Sequence, residues 1–385
     1  MRIVHTSDWH AGRIWKSQNR LDELRDVLEH LGAFIERERI DLLLMSGDIF
    51  ENQVPTADAE RAVSTFFKRL GRANVPSVVI AGNHDHPTRL DTWGLLAEFV
   101  GVQARGLPRR RQDGGLIELP SRSGETALVA ALPWAPPGRI VEALTLARDQ
   151  TLARQQYAEA VQQMLAQLAE GFRPDAVNLV VAHSHIAGAK GSGSERVTTM
   201  GDEWAATAQS LPTTAHYVAL GHIHRPQRVM AAASHTEFAG SPLQLDFGEV
   251  NEEKSFVVIE AVPGRPPRVE RVPYQGGKAL GHWEGTLPEL ERDAEGLKRF
   301  GYLRVKITLD TPMPSLNRRA RQILSNIVVV DAVLPAEIGG DQGPGPRTAK
   351  APVDQFRAYY EGHHQREPQP PTLDLFNELY LAASE

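Results

Sequence analysis

The chain has no cysteine, which excludes disulfides and thiolate metal sites and is compatible with a reducing compartment. It has no apolar run approaching the roughly 18 residues that a membrane-spanning helix needs. The N-terminus enters a strand pattern directly, without a basic stretch and apolar leader, so no signal peptide is expected. Zinc-finger and helix-turn-helix patterns are also missing, and with them any expectation of base readout. The formal net charge of -6 excludes a wholly basic nucleic-acid binder, although it does not describe a local cleft. The remaining composition, 41% hydrophobic and 23% charged over 385 residues, predicts a soluble, cytoplasmic chain long enough for more than one domain.

The chain does have fourteen histidines, and about half of them fall in or beside five short segments. Asp41 to Phe50, DLLLMSGDIF, reads as a buried strand ended by Gly47-Asp48. Asp8-Trp9-His10 follows the strand pattern Arg2–Thr6, and Gly82-Asn83-His84-Asp85 follows Ser77–Ile80. His183 follows Val177–Val181, and Gly221-His222-Ile223-His224 follows Tyr217–Leu220. Each is an apolar run that ends at once in metal-ligating side chains, on strands expected to be neighbours in one sheet. Ligands collect at the carboxyl ends of strands in α/β proteins.

Helices are predicted over Ser17–Arg39, whose apolar residues recur at i, i+3 and i+4, and over Ala57–Leu70, closed by Gly71. Strand, helix, strand, helix, strand is thus in place by residue 80, which predicts an α/β layer architecture. Leu116–Leu119 and Ala127–Ala131 form a strand pair, and a largely helical stretch runs from Ile140 to about Glu170. Later strands are expected at Thr236–Ala239 and Ser255–Glu260, with close spacing that suggests an antiparallel turn of the sheet. The texture changes near Tyr274. Residues 275–335 then read as a small second domain with a β-α-β pattern, 336–352 as a flexible Gly/Pro-rich linker, and 353–385 as a tail with two short aromatic patches.

Carboxylates, imidazoles and an amide oxygen, without thiolate, suit Mn²⁺, Fe²⁺ or Zn²⁺. Two cations held a few ångströms apart repel each other, and a shared anionic ligand lowers that repulsion. Asp48 is the best candidate bridge. Asp8 and His10 would complete one side with one of the last two histidines; Asn83, His183 and the other would serve the second ion. Pairs at i, i+2 converge on one ion only where strand has given way to loop. His185, two residues beyond His183, competes for its role.

In order and type these motifs resemble the calcineurin-like metallophosphoesterase superfamily. The longer forms HTSDWHAGR, LLLMSGDIF, AGNHDHP and YVALGHIHRPQ resemble its SbcD family, related to Mre-type nucleases. The resemblance implies a four-layer α-β-β-α sandwich of mixed sheets over residues 1–274, an α+β capping domain over 275–335 and a helical docking tail over 353–385. It implies two Mn²⁺ ions per subunit, one held by Asp8, His10, Asp48 and His224 and the other by Asp48, Asn83, His183 and His222. His84 would then be the catalytic histidine, with Asp85 orienting its ring. The implied activity is 3′-to-5′ exonuclease on duplex ends and endonuclease on single strands and hairpins, in DNA repair, recombination and replication. The implied partners are DNA and an SbcC-type ATPase with a long coiled coil, around a homodimer of the nuclease subunit in a heterotetramer. Gly188–Gly193 lacks the full phosphate-loop pattern, which leaves ATP hydrolysis to that partner. A phosphomonoesterase or cyclic-nucleotide phosphodiesterase on the same scaffold is the second reading.

Arg13, Lys16, Arg20, Arg89, Lys190 and Arg225 flank the motif loops and are expected to contact phosphates; Arg109-Arg110-Arg111 is a further basic run.

Overall fold

The computed structural model describes residues 1–135, 150–195 and 205–334, together with parts of 353–376. Short apolar runs make the centre of a first sheet. Arg2–Thr6 (β1) is followed by a small hairpin, Ile14–Trp15 (β2) with Gln18–Asn19 (β3), and then by Leu42–Met45 (β4), Ser77–Ile80 (β5) and Val102–Arg105 (β6). Strands β1, β4, β5 and β6 run parallel. The helices Leu21–Arg37 (α1), Ala57–Arg72 (α2) and Pro87–Ala97 (α3) connect them. Val4, Leu43, Met45 and Val79 point toward these helices and pack with Leu24, Leu31, Ile35, Val63, Phe67 and Leu70. Their neighbours Ile3, Leu42, Leu44, Val78 and Ile80 point the other way into a second core, as period-2 alternation requires.

That second core is shared with a second sheet, built from Leu116–Pro120 (β7), Thr126–Leu132 (β8), Val177–His183 (β9), Tyr217–Gly221 (β10), Gln227–Arg228 (β11) and His235–Phe238 (β12). Its order is β11-β12-β10-β9-β8-β7. The outer face of this sheet is covered by Gln150–Ala169 (α4) through Tyr157, Val161, Leu165 and Leu168. Ser255–Glu260 (β13) and Arg268–Pro273 (β14) return antiparallel on the far edge of the first sheet. The layers are thus α-β-β-α, with mixed sheets, as the fold class requires.

Two expectations are corrected. The five motif strands lie in two stacked sheets, β1, β4 and β5 in one and β9 and β10 in the other. An apolar run buried on both faces reads identically in either sheet, so the sequence does not separate them. Second, β12 is parallel to β10; of the described strands of the two sheets beyond residue 210, β11, β13 and β14 are the ones that pair antiparallel.

A polar bridge crosses the middle of the sheet interface. Fully buried His5 meets the Tyr217 hydroxyl at 2.9 Å through Nδ1 and the Ser46 hydroxyl at 2.8 Å through Nε2.

A three-stranded parallel sheet follows: Leu280–Gly285 (β15), Leu287–Leu297 (α5), Tyr302–Thr308 (β16), Leu316–Ile323 (α6) and Ile327–Val333 (β17). It has its own core of Leu290, Leu303, Val305, Ile307, Leu316 and Ala320. The β-α-β pattern expected from the sequence, at Tyr302–Leu309, Leu316–Ser325 and Ile327–Leu334, corresponds to β16, α6 and β17; β15 and α5 were missed, where LPELERDAEGL buries only Leu290 and Leu297. The small sheet is tied down by buried Glu23, which pairs with Arg20 at 2.7 Å and accepts from the Tyr302 hydroxyl at 2.8 Å. Residues 335–352 and much of the tail lie outside the described residues. The aromatic patches of the tail meet where Phe356 stacks on Phe376 at 4.3 Å. Among the described residues no helix is long and apolar enough to cross a membrane.

Candidate metal centre

Each motif begins where its strand stops, and the backbone there is unusual. Asp8, His10 and Asp48 have φ of 52°, 47° and 52°, and His222 has φ 99°. Non-glycine residues in this region cost on the order of 1–2 kcal/mol each, so the surroundings must hold them there. Hydrogen bonds do so. Asp8 N donates to Gly47 O and His10 N to Asp48 O, both at 3.0 Å. The His222 amide crosses between the sheets to donate to Asp8 Oδ1 at 3.0 Å. The left-handed turns let Asp8 and His10, two residues apart, aim at one place.

The motif glycines mark where backbones touch these ligands. A Cβ at Gly82 would lie 2.1 Å from Asp48 Oδ1, and one at Gly221 would lie 2.0 Å from the Ser46 carbonyl oxygen. Gly47, at φ 97°, would place a Cβ 2.4 Å from His183 Nδ1.

The donor atoms of Asp8, His10, Asp48 and His224 all lie within 4.8 Å of one another, and all four residues are buried. His10 Nε2 and His224 Nε2 are 3.1 Å apart. Beside them, Asn83 Oδ1 lies 3.0 Å from His183 Nε2 and 3.0 Å from His222 Nδ1. Asp48 Oδ2 stands between the groups, 3.7 Å from His10 Nε2 and 3.6 Å from His183 Nε2. Adjacent ligands about 2.1 Å from a common divalent ion are roughly 3 Å apart, so these spacings fit two neighbouring cation sites.

The electrostatics agree. Burial and the nearby Asp48 carboxylate push the Asp8 carboxyl well above its usual range, which a bound cation would reverse. Burial lowers His183 and His224, keeping them neutral as ligands must be. Their remote nitrogens are anchored. His183 Nδ1 donates to Ser46 O at 2.8 Å, and His10 Nδ1 lies 2.9 Å from Glu51 Oε2.

The seven expected ligands are therefore brought together, and His183 rather than His185 is the one beside Asp48 and Asn83. The ring of His185 lies 6.1 Å from that of His222. His84 borders the cluster, its ring 4.6 Å from that of His10. The expectation that Asp85 orients the His84 ring is not what the geometry shows. Asp85 accepts from the amides of Gly82, Ile49 and Phe50 at 2.9–3.1 Å, fastening two motif loops together, and the His84 Nδ1 contact is with the Glu51 carbonyl at 2.8 Å. Burial, with the Asp48 charge, lifts the Asp85 carboxyl to about 7.

Sequence reasoning also missed Trp134, stacked on the His222 ring at 5.4 Å, for which Pro133 after an apolar strand was the only signal. Of the basic residues expected at phosphates, Arg20 is buried against Glu23. Arg13 pairs with Glu51 at 3.3 Å, Arg89 with Glu60, and Arg109 with Asp91 at 2.9 Å.

Stacked mixed sheets whose strand ends gather carboxylate, imidazole and amide donors into two adjoining groups define a metallophosphoesterase scaffold. A family model for calcineurin-like phosphoesterases matches residues 1–226. The chain is 37% identical to the SbcD subunit of the SbcCD nuclease of Bacillus subtilis (strain 168), over 74% of this chain and 73% of that one. It is 27% identical to the corresponding SbcD subunit of Escherichia coli (strain K12), over 86% and 83% of the two chains. A solved dimetal phosphatase from Danio rerio shares 11% identity at a TM-score of 0.39, over 71% of this chain and 99% of that one. The chain belongs to the calcineurin-like phosphoesterases and, within them, to the SbcD family.

Proposed function

We propose that the protein is a two-metal DNA phosphodiesterase, the nuclease subunit of a complex with an SbcC-type ATPase. The observation that carries the chemistry is Asp48 Oδ2 midway between His10 and His183, each heading one group of donors. In this reading Asp8, His10, Asp48 and His224 hold one Mn²⁺, and Asp48, Asn83, His183 and His222 hold the other. Bound there, the ions would supply Lewis-acid polarisation of the phosphoryl group and a water acidic enough to ionise near neutrality.

The chain's own contribution is orientation and proton transfer. With His84 Nδ1–H donating to the Glu51 carbonyl, Nε2 is the nitrogen that takes up a second proton, and the imidazolium so formed can give that proton to the departing sugar oxygen and return to the neutral ring. Asp85 keeps the His84 loop and the Asp48 loop in fixed relation through its three amide bonds.

Nucleic acid as substrate is supported by the relatives' nuclease names and by a groove of about 520 Å³ between the β2–β3 hairpin and the small sheet. Lys16, Lys278 and Arg321 line that groove with Ser325 and Asn326, and no carboxylate does. This supports residues 275–335 as a capping domain that grips backbone phosphates. A homodimer is supported by the exposed apolar residues Leu95 and Leu96 of α3 and nearby Phe99. The tail, with Phe356 on Phe376, is the segment assigned to the ATPase.

The deciding experiment compares Mn²⁺-dependent hydrolysis of duplex and hairpin DNA with that of a chromogenic phosphomonoester. DNA cleavage that is lost in His84→Ala supports the nuclease reading. Activity on the small ester alone would replace it with a phosphomonoesterase. Deleting residues 352–385 is expected to abolish binding to the ATPase and spare basal cleavage.

A further inference from the structure

His183 Nδ1 rests on one carbonyl and His10 Nδ1 lies beside one carboxylate, but His224 is held by a longer chain of groups. Ser194 Oγ lies 2.5 Å from His224 Nδ1 and donates to Glu249 Oε1. His224 Nδ1 and Glu249 Oε1 are themselves 4.0 Å apart, too far to bond directly, so the hydroxyl joins them. Glu249 is completely buried; its Oε2 accepts from Lys254 Nζ at 2.6 Å and from the Leu245 amide at 3.0 Å. Lys254 Nζ also donates to the carbonyl of His224 at 2.9 Å. The backbone is clamped by the same loop, since Glu195 Oε1 accepts the His224 amide at 3.1 Å.

A serine hydroxyl carries one hydrogen. Lys254 and the Leu245 amide keep Glu249 an acceptor, so the Ser194 hydrogen goes to Glu249 and the Ser194 oxygen accepts from His224 Nδ1–H. That order fixes the tautomer and leaves the Nε2 lone pair facing His10 and Asp48, where a cation would sit. We infer that Ser194 and Glu249 are positioning residues that set the tautomer and angle of His224 for the ion it shares with Asp8, His10 and Asp48. The inference rests on the two-metal reading above. It also explains Gly248, where a Cβ would lie 2.5 Å from the Ser192 carbonyl oxygen and displace the loop that carries Ser194.

The test uses the full chain with Ser194→Ala, Ser194→Thr, Glu249→Gln and Gly248→Ala. Manganese binding is followed by calorimetry and by the paramagnetic resonance of free Mn²⁺. The histidine tautomers are followed by nitrogen-15 correlation spectra of the metal-free protein. Ser194→Ala is expected to weaken one of the two sites about 10–100-fold, the range for losing a hydrogen-bond partner of a metal ligand. The other site should keep its affinity, and the metal-free melting temperature should stay close to wild type. In the same variant the His224 signal should change from a single Nδ1-protonated form to a mixture, and Ser194→Thr should restore it. Gly248→Ala is expected to reproduce the Ser194→Ala pattern. Glu249→Gln also takes from buried Lys254 the nearer of its two carboxylates, leaving it Glu252 alone, and should lower the melting temperature together with the affinity of that one site. Wild-type affinity at both sites, or an unchanged His224 tautomer, in folded Ser194→Ala would overturn the inference. If the wild type itself binds no Mn²⁺, the two-metal reading fails, while the tautomer spectra still decide the relay.

Discussion

Asp48 Oδ1 accepts the backbone amide of His84 at 2.8 Å, so the bridging carboxylate and the proposed proton donor are fixed to each other. Asp48→Asn keeps an oxygen for that amide but removes the charge shared by both sites. Manganese affinity should fall at both sites, and DNA hydrolysis should drop by about 10³, since several kcal/mol of charge stabilisation are lost. The metal-free protein should melt close to wild type, because relief of a like charge on buried Asp8 is offset by loss of the carboxylate that, against its burial, His183, His84 and His10 hold at about 2. Calorimetry and melting curves in a chelator check both outcomes.

His84→Ala separates chemistry from metal binding. Turnover is expected to fall about 10²–10⁴-fold, the usual share of a general acid. Both Mn²⁺ ions should still bind, because His84 stands outside the two donor groups. Loss of an ion in this variant would move His84 from proton transfer to ligation.

The motif glycines give a third prediction. At Gly82 an added methyl would meet Asp48 Oδ1 at 2.1 Å, with the Asp48 amide at 2.4 Å. Gly82→Ala should destabilise by about 1–3 kcal/mol, as overpacking does. It should also reduce manganese affinity, because the atom displaced belongs to the bridge. A lower melting temperature with unchanged metal affinity would mean that the loop gives way and the carboxylate does not.

These contacts show what the sequence made legible and what it did not. Strand ends followed by Asp, His and Asn pointed to the seven residues that the fold gathers, because apolar runs and turn residues are local signals. What those residues do to one another is not local. Glu51, Ser194 and Trp134 touch the histidines, and Glu249 reaches His224 through Ser194, from segments with no metal-binding pattern; each is an ordinary polar or aromatic residue in its own neighbourhood. Arg20 reads as a phosphate contact beside a motif, yet it is drawn inward by Glu23 three residues on. The assignment of strands to two sheets was hidden for a related reason. Leu44 and Val181 are equally apolar whether their strands pair or stack.

The basic groove leads to a prediction about salt. Lys278→Glu with Arg321→Glu should weaken DNA binding and flatten its dependence on salt. Each phosphate contact removed lowers the log–log slope by about 0.9. Hydrolysis of a small phosphoester, if measurable, should not change, because neither residue touches the metal centre. DNA affinities across a salt series test this; an unchanged slope would place the nucleic acid elsewhere.

Stability should also depend on pH through His5, the buried bridge between the sheets. Burial lowers its pKa from 6.5 to about 3, so the folded protein keeps the ring neutral. In the unfolded chain the ring protonates near 6.5. Above that pH neither state binds the proton and His5 contributes no pH dependence. As pH falls from 6.5 toward 3, only the unfolded chain gains it, and stability declines by about 1.4 kcal/mol per pH unit from this residue. His5→Gln should be less stable at neutral pH, having lost part of the contact with Tyr217 and Ser46. Between pH 6.5 and pH 5, however, its stability should fall by about 2 kcal/mol less than wild type. Urea unfolding of the metal-free proteins at several pH values measures the two slopes. Parallel slopes would mean that His5 takes up its proton within the fold, and that the sheet interface admits a charge.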